Sequence, residues 1–222
     1  MSDVTVVLTS YNRPDLLEKT LDSFFEHNTY PIERFLILED SECDRCIDFV
    51  HDRYDFPIEV IYNNPRRHQV RSVDYGYSLV DTPWIFHMEE DWEFLRGEFI
   101  EDSIKIMEAD PNIITVWLRG LDDQTLNHPY YPQRYIVDGV EVVQVMFDGV
   151  WGGFTFNPSL KRRSDWEELP GNYDGVPKLT PTHMSGGWTL ESDICAEYHR
   201  RGKIAVRTVE SYIRHIGWGR GI

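Results

Sequence analysis

The chain has little of several things. Its 222 residues contain three cysteines, no internal repeat and no apolar run long enough to cross a bilayer. It is also short of basic residues: 22 Lys and Arg stand against 38 Asp and Glu, a net charge of −16 with neutral His. Each shortage excludes something. Three cysteines cannot build a disulfide framework. Cys43 and Cys46 are spaced C-x-x-C, but a structural zinc site needs two more soft or imidazole ligands. They and Cys195 are expected to be ordinary buried or half-buried thiols. The acidic balance argues against nucleic acid and against anionic membrane surfaces as partners. With no spanning segment and no signal-peptide pattern, the expectation is a cytoplasmic protein without direct membrane insertion. Nothing in the composition marks a linker, so a single domain over 1–222 is expected, long enough to bury a good core.

What is present alternates between strand and helix signals. Val4–Thr9 is a continuous apolar, β-branched run, as expected of a strand buried on both faces. A helix follows, with Pro14 at its first position, Leu17, Leu21 and Phe24 on one face, and Asn28 at its end. Strands are predicted over 35–38, 58–62 and 84–88, with helices over about 43–54 and 70–79 between them. Later, Asp138-Gly139 sits between alternating apolar residues and predicts a hairpin; a helix over 190–201, stopped by Gly202, leads to a strand over 204–208. Strand and helix in repeated alternation imply an α/β fold with a parallel sheet and right-handed crossovers.

The richest chemistry lies just past the fourth predicted strand, at Glu89-Glu90-Asp91. Three adjacent anions repel one another unless a cation screens them, and hard divalent ions take oxygen ligands and bridge carboxylates to phosphates. The carboxyl edge of such a sheet is where α/β folds bind ligands. The plain alternative is a solvated acidic turn.

The order of these elements resembles the nucleotide-binding half of a GT-A glycosyltransferase, in particular the inverting family 2 group. The resemblance rests on Thr9-Ser10-Tyr11-Asn12-Arg13-Pro14 after the first strand, Glu39-Asp40 after the second, and Glu89-Glu90-Asp91 in the place of an Asp-x-Asp motif. Two later segments extend it. Trp151-Gly152-Gly153 is similar to the Gly-Gly stretch under the donor sugar of β-1,4-galactosyltransferase-like enzymes, and Gly187-Trp188-Thr189-Leu190-Glu191-Ser192-Asp193 is similar to the element that carries the catalytic base. Arg214-His215 matches a late metal-binding His.

The resemblance implies a GT-A fold, with a mostly parallel central sheet flanked by helices and a smaller antiparallel part in the acceptor half. It divides the chain into a nucleotide-binding half over 1–92 and an acceptor-binding and catalytic half over 93–222. It implies Mn²⁺ or Mg²⁺ held by Asp91 and His215, with Glu89 beside them, and Glu191 as base with Asp193 in reserve. Thr9, Tyr11, Arg13 and Glu90 would line the nucleotide cleft and Arg71 would meet the diphosphate. Glu39 would accept the uracil N3–H, which favours a UDP-sugar donor; Asp40 is the other carboxylate able to do so, and Asp40 or Ser41 would cap the next helix. Arg66 and Arg67 read as a solvated basic turn. Trp151, Gly152, Gly153 and Trp188 would meet the donor or acceptor sugar. The glycine-rich tail over 211–222 would be loose, ordering over the donor through His215, Trp218 and Arg220. The expected activity is inverting transfer of a hexosyl, deoxyhexosyl or pentosyl group to a glycan hydroxyl. The rivals are a nucleotidyltransferase on a related sheet and an inactive glycan-binding module of the same fold.

Overall fold

A computed structural model of the chain describes residues 2–43, 45–178 and 188–218. In chain order the elements are β1 (Val4–Ser10), α1 (Pro14–His27), β2 (Arg34–Glu39), α2 (Val50–Arg53), β3 (Ile58–Tyr62), α3 (Gln69–Ser78), β4 (Trp84–Glu89), β5 (Trp92–Phe94), α4 (Phe99–Ala109), β6 (Ile113–Trp117), β7 (Tyr130–Val137), β8 (Val140–Val145), β9 (Ser159–Arg162), α5 (Arg163–Glu167), α6 (Trp188–Arg200), β10 (Ile204–Thr208) and β11 (Ile213–His215).

The main sheet runs β3-β2-β1-β4-β9. Its first four strands are parallel and β9 lies antiparallel against β4. Every residue of β1 is buried, because the strand has a neighbour on each side and helices on both faces. Alternation along β1 divides the core. Val4, Val6 and Leu8 join Leu17, Leu21, Phe24, Phe99 and Ile106 under α1 and α4. Val7 joins Val70, Val73, Tyr77, Ile194 and Tyr198 under α3 and α6. A second sheet, β6-β10-β8-β7, carries the hairpin, whose Asp138 and Gly139 both have positive φ (47° and 89°), as a type I′ turn requires. The fold is the expected one, a mostly parallel α/β sheet with an antiparallel part in the second half.

Three expectations are corrected. The helix over 43–54 shrinks to Val50–Arg53: Glu42 and Arg45 have positive φ, and neither lies in helical space. Cys43 and Cys46 are joined by a disulfide rather than left as thiols, and Cys195 is a buried free thiol. The tail is not loose over 211–217. β11 pairs with β5, Tyr212 and Ile213 are buried, and the Ile216 N–H donates to the Asp91 carbonyl at 2.9 Å. Among the described residues, no helix is long and apolar enough to cross a membrane.

Candidate active site

Parallel pairing places three strand ends side by side. Thr9 of β1 lies opposite Glu89 of β4, and Ser10 opposite Glu39 of β2. The chain then turns sharply from β4 into β5, and α1 holds that turn. Thr20 donates to the Glu90 carbonyl at 2.6 Å and accepts the Trp92 N–H at 3.1 Å. A small cleft of about 80 Å³ opens above these ends, lined by Thr9, Ser10, Tyr11, Arg13, Asp40, Arg66, Gln69, Ser72, Glu89 and Glu90.

The acidic triplet is divided by role. Glu90 is buried and accepts from the Tyr11 amide at 3.1 Å and from Arg13 Nε at 2.7 Å. Arg13 also reaches Asp91 Oδ2 at 2.9 Å. Glu89 accepts from Gln69 at 2.8 Å and from the Trp92 indole at 3.3 Å. Asp91 Oδ2 stands 3.3 Å from His215 Nε2, brought there by the β11–β5 pairing. Burial and then the charges of Asp91, Glu90 and Glu191 push the Glu89 carboxyl well above the usual range. Burial pushes Glu90 up to about 7, with Arg13 opposing. Asp91 stays low because His215 and Arg13 together outweigh its burial.

This donor set fits a divalent ion. Asp91 supplies oxygen and His215 imidazole nitrogen; Glu89 feels the charge of Asp91, but its carboxylate does not stand within 4.8 Å of both. His215 Nδ1 is buried with no partner, and the acids are under-neutralised by one Arg. Gly217 makes room for Asp91: a Cβ there would lie 2.4 Å from Oδ2.

On the other face, Glu191 near the start of α6 accepts the Phe156 amide N–H at 2.6 Å and the Thr155 hydroxyl at 3.2 Å. It keeps partial exposure but sits deep enough for burial to raise its pKa, against the pull of these donors, of Lys161 and of Trp151. Lys161 on β9 is buried, donating to the Thr155 carbonyl at 2.8 Å and to Thr115 at 3.0 Å. Burial pulls its pKa down to about 7. Asp193 is buried two residues along.

The remaining expected residues fall in different places. Glu39 is fully buried and outside the cleft lining. Asp40 does line it, but caps no helix. Its carboxylate accepts from the Arg67 and His68 amides, Asn63, Ser72 and Arg66, and so ties the loop after β3 to the end of β2. Arg71 is exposed and pairs with Asp174 at 3.1 Å, away from the cleft. Arg66 is no solvated turn residue: it lines the cleft, its guanidinium stacked 4.0 Å over the Tyr11 ring. Trp151 is buried against Trp117 and His128. Gly152 is required where it is: φ is 117° and a Cβ would lie 2.0 Å from the Met146 carbonyl oxygen, whereas Gly153 faces open space. Trp218 is 63% exposed, its ring edge-on to His215. Arg220 and the Trp188 side chain lie outside the described residues, as does 179–187 of the long connection. Sequence reading missed Arg66, Gln69, Ser72 and Lys161. Only the run Arg66–Arg71 beside a strand end could have pointed to the first two.

Sheet order, switch-point cleft and acidic turn define a GT-A-type α/β fold. The profile of "Glycosyl transferase family 2" matches residues 5–169, and the chain belongs to that family. It is 26% identical over 110 residues to an uncharacterized glycosyltransferase of Haemophilus influenzae, a match covering 50% of this chain and 36% of that one. Among solved structures it resembles the Pyrobaculum calidifontis mannosyltransferase PcManGT in complex with GDP-Man and Mn²⁺ (TM-score 0.60, 16% identity, 99% of this chain and 58% of that one). It also resembles GalNAc-T7 with UDP, GalNAc and Mn²⁺ (TM-score 0.68, 15% identity, 97% and 44%) and S. aureus TarS (TM-score 0.63, 9% identity, 96% and 60%). These likenesses establish the fold. The chain spans about a third of the curated relative and 60% or less of the three solved chains.

Proposed function

We propose that this chain is a metal-dependent, inverting glycosyltransferase that moves a sugar from a nucleotide diphosphate, UDP in the first instance, to a glycan hydroxyl. The observation that carries the reading is the meeting of Asp91 and His215, 3.3 Å apart, behind Arg13, which pairs with Asp91 and lines the cleft at the carboxyl edge of a parallel sheet. Asp91, His215 and Glu89 would hold Mn²⁺ or Mg²⁺, which when bound supplies Lewis-acid neutralisation of the leaving diphosphate. Arg13 and Arg66 add positive charge along the same wall. Tyr11, already stacked under Arg66, offers a ring face to the nucleoside base. The uracil N3–H finds its acceptor in Asp40 rather than in the buried Glu39, displacing Arg66 from Oδ2.

Glu191 is the proposed base. It takes the proton of the acceptor hydroxyl as that oxygen attacks the anomeric carbon from the face opposite the leaving diphosphate, which inverts the configuration. The Phe156 amide and the Thr155 hydroxyl fix the carboxylate while it does so. Support for the metal and the nucleotide donor also comes from the relatives of this fold solved with GDP-Man or UDP and Mn²⁺.

Thermal melting with UDP, GDP or CDP, each with and without Mn²⁺, tests the proposal, because a ligand that binds the native state raises its melting point. UDP with Mn²⁺ should give the largest rise. Asp91→Ala should fold, lose the Mn²⁺-dependent part of that rise and lose transfer. A variant with wild-type turnover in Mn²⁺ would refute the metal assignment.

A further inference from the structure

The disulfide pair has a neighbour that the C-x-x-C spacing does not announce. One carboxylate oxygen of Glu39 and the sulfurs of Cys43 and Cys46 all lie within 4.8 Å of one another. Glu39 is fully buried. Its Oε1 accepts the Asn12 amide at 3.0 Å and the Ser41 amide at 3.1 Å, while Oε2 is buried with no partner. A buried acceptor left without a donor costs about 1–3 kcal/mol. A carboxylate oxygen held beside two sulfurs by its own sister oxygen is a ligand set awaiting a cation.

We propose that Glu39, Cys43 and Cys46 form a redox-gated site for a thiophilic divalent cation such as Zn²⁺, closed while the sulfurs are bridged and open once they are thiols. Two thiolates and a carboxylate select a softer ion than the Asp91–His215 cluster does, so the sites differ in metal as well as in place. In opening, a phosphine reductant takes the disulfide and one water to two thiols and the phosphine oxide. Zn²⁺ then replaces both thiol protons, which leave to solvent, and Glu39 Oε2 becomes the third ligand. Three protein ligands leave the fourth tetrahedral position to water. Sulfurs around one zinc stand further apart than in a disulfide, and the loop carrying them has backbone to adjust. Among the described residues between Glu39 and Val50 it holds no helix or strand, and Glu42 and Arg45 already turn it through positive φ. In a reducing compartment, where disulfides do not persist, the open form would be the resting one.

Zn²⁺ titrated into the full chain against a chromophoric chelator, before and after phosphine reduction, reads the site by difference, because the Asp91–His215 cluster is present in both forms. The reduced chain should take one extra equivalent of zinc with submicromolar affinity, and Cys43→Ser/Cys46→Ser should lose it. Glu39→Gln, with its fold checked by melting, should weaken that equivalent at least tenfold. Where that variant does not fold, Co²⁺ replaces it as the readout: the reduced wild type should show thiolate-to-cobalt charge-transfer bands that the double serine variant lacks. Equal zinc stoichiometry in both redox states, absence of those bands, or a folded Glu39→Gln with wild-type affinity would overturn the proposal.

Discussion

Glu191 and Lys161 are joined through one residue: Lys161 holds the carbonyl of Thr155, and Thr155 holds Glu191 with its hydroxyl. If Glu191 is the base, Glu191→Gln keeps the size and the amide contact but cannot take a proton. Its turnover should fall by roughly a hundredfold, the scale of a lost general base, with donor affinity within a few fold; single-turnover kinetics beside nucleotide melting checks both. Lys161 has its own signature. Burial holds its pKa in the folded chain down to about 7, well below an ordinary lysine. As pH falls through the unfolded value, the unfolded chain takes a proton that the folded chain refuses until about 7, so wild type loses stability across that window. Lys161→Met has nothing to titrate there. Denaturant unfolding at pH 10 and pH 7 should show the variant gaining on wild type as pH drops, by up to a few kcal/mol at about 1.4 kcal/mol per pH unit. A gap that does not change with pH would mean the lysine is protonated in both states.

At the scale of elements, the site is a junction of β4, β5 and β11, and Gly217 is where it is tightest. A Cβ at 217 would meet Asp91 Oδ2 at 2.4 Å and Asp91 Cβ at 2.9 Å. Gly217→Ala must therefore turn the carboxylate away from His215. The Mn²⁺-dependent part of nucleotide binding should weaken at least tenfold while melting without ligand moves little; an unchanged metal dependence would detach Asp91 from the metal. Elements of this kind were unequally legible. β1 to β4 and β10 are β-branched or aromatic runs bounded by turn residues, and the 138–139 hairpin has its own turn chemistry, so local sequence announces them. β5 and β11 are three residues each and exist only because they pair with one another. Glycines around β11 suggest slack, and only tertiary pairing overrides them. The helix expected after Cys43 failed for a local reason, two positive-φ residues and a bridged pair within one turn. In the candidate site, the resemblance named Asp91 and His215 together, and the structure brings them within 3.3 Å of one another. That Arg66 rather than Arg71 lines the cleft was not legible, because which of two arginines faces it depends on the rotation of the loop before α3, and Asp40 sets that loop through amide contacts no spacing rule contains.

The whole molecule carries a net charge of −16, and three of its acidic side chains, Glu89, Glu90 and Asp91, are consecutive at the turn after β4. Like charges on a compact body repel, and salt screens them over about 10 Å at 0.1 M. Melting without ligand should rise between about 10 mM and 0.3 M NaCl, and millimolar Mn²⁺ should do more than the same ionic strength of Na⁺ in wild type but not in Asp91→Ala. Equal effects of the two salts would leave only diffuse screening.

The antiparallel contact between β5 and β11 also has a consequence in time. Asp91 leaves the ribosome early and His215 late, with roughly 120 residues between them, on the order of 10 s of synthesis. The four parallel strands can pair long before then, so a nascent chain can be mostly folded and still inert. Activity would be switched on by the arrival of one short strand, and a ribosome that stalls before residue 213 would release a globule with an acidic turn and nothing to complete it.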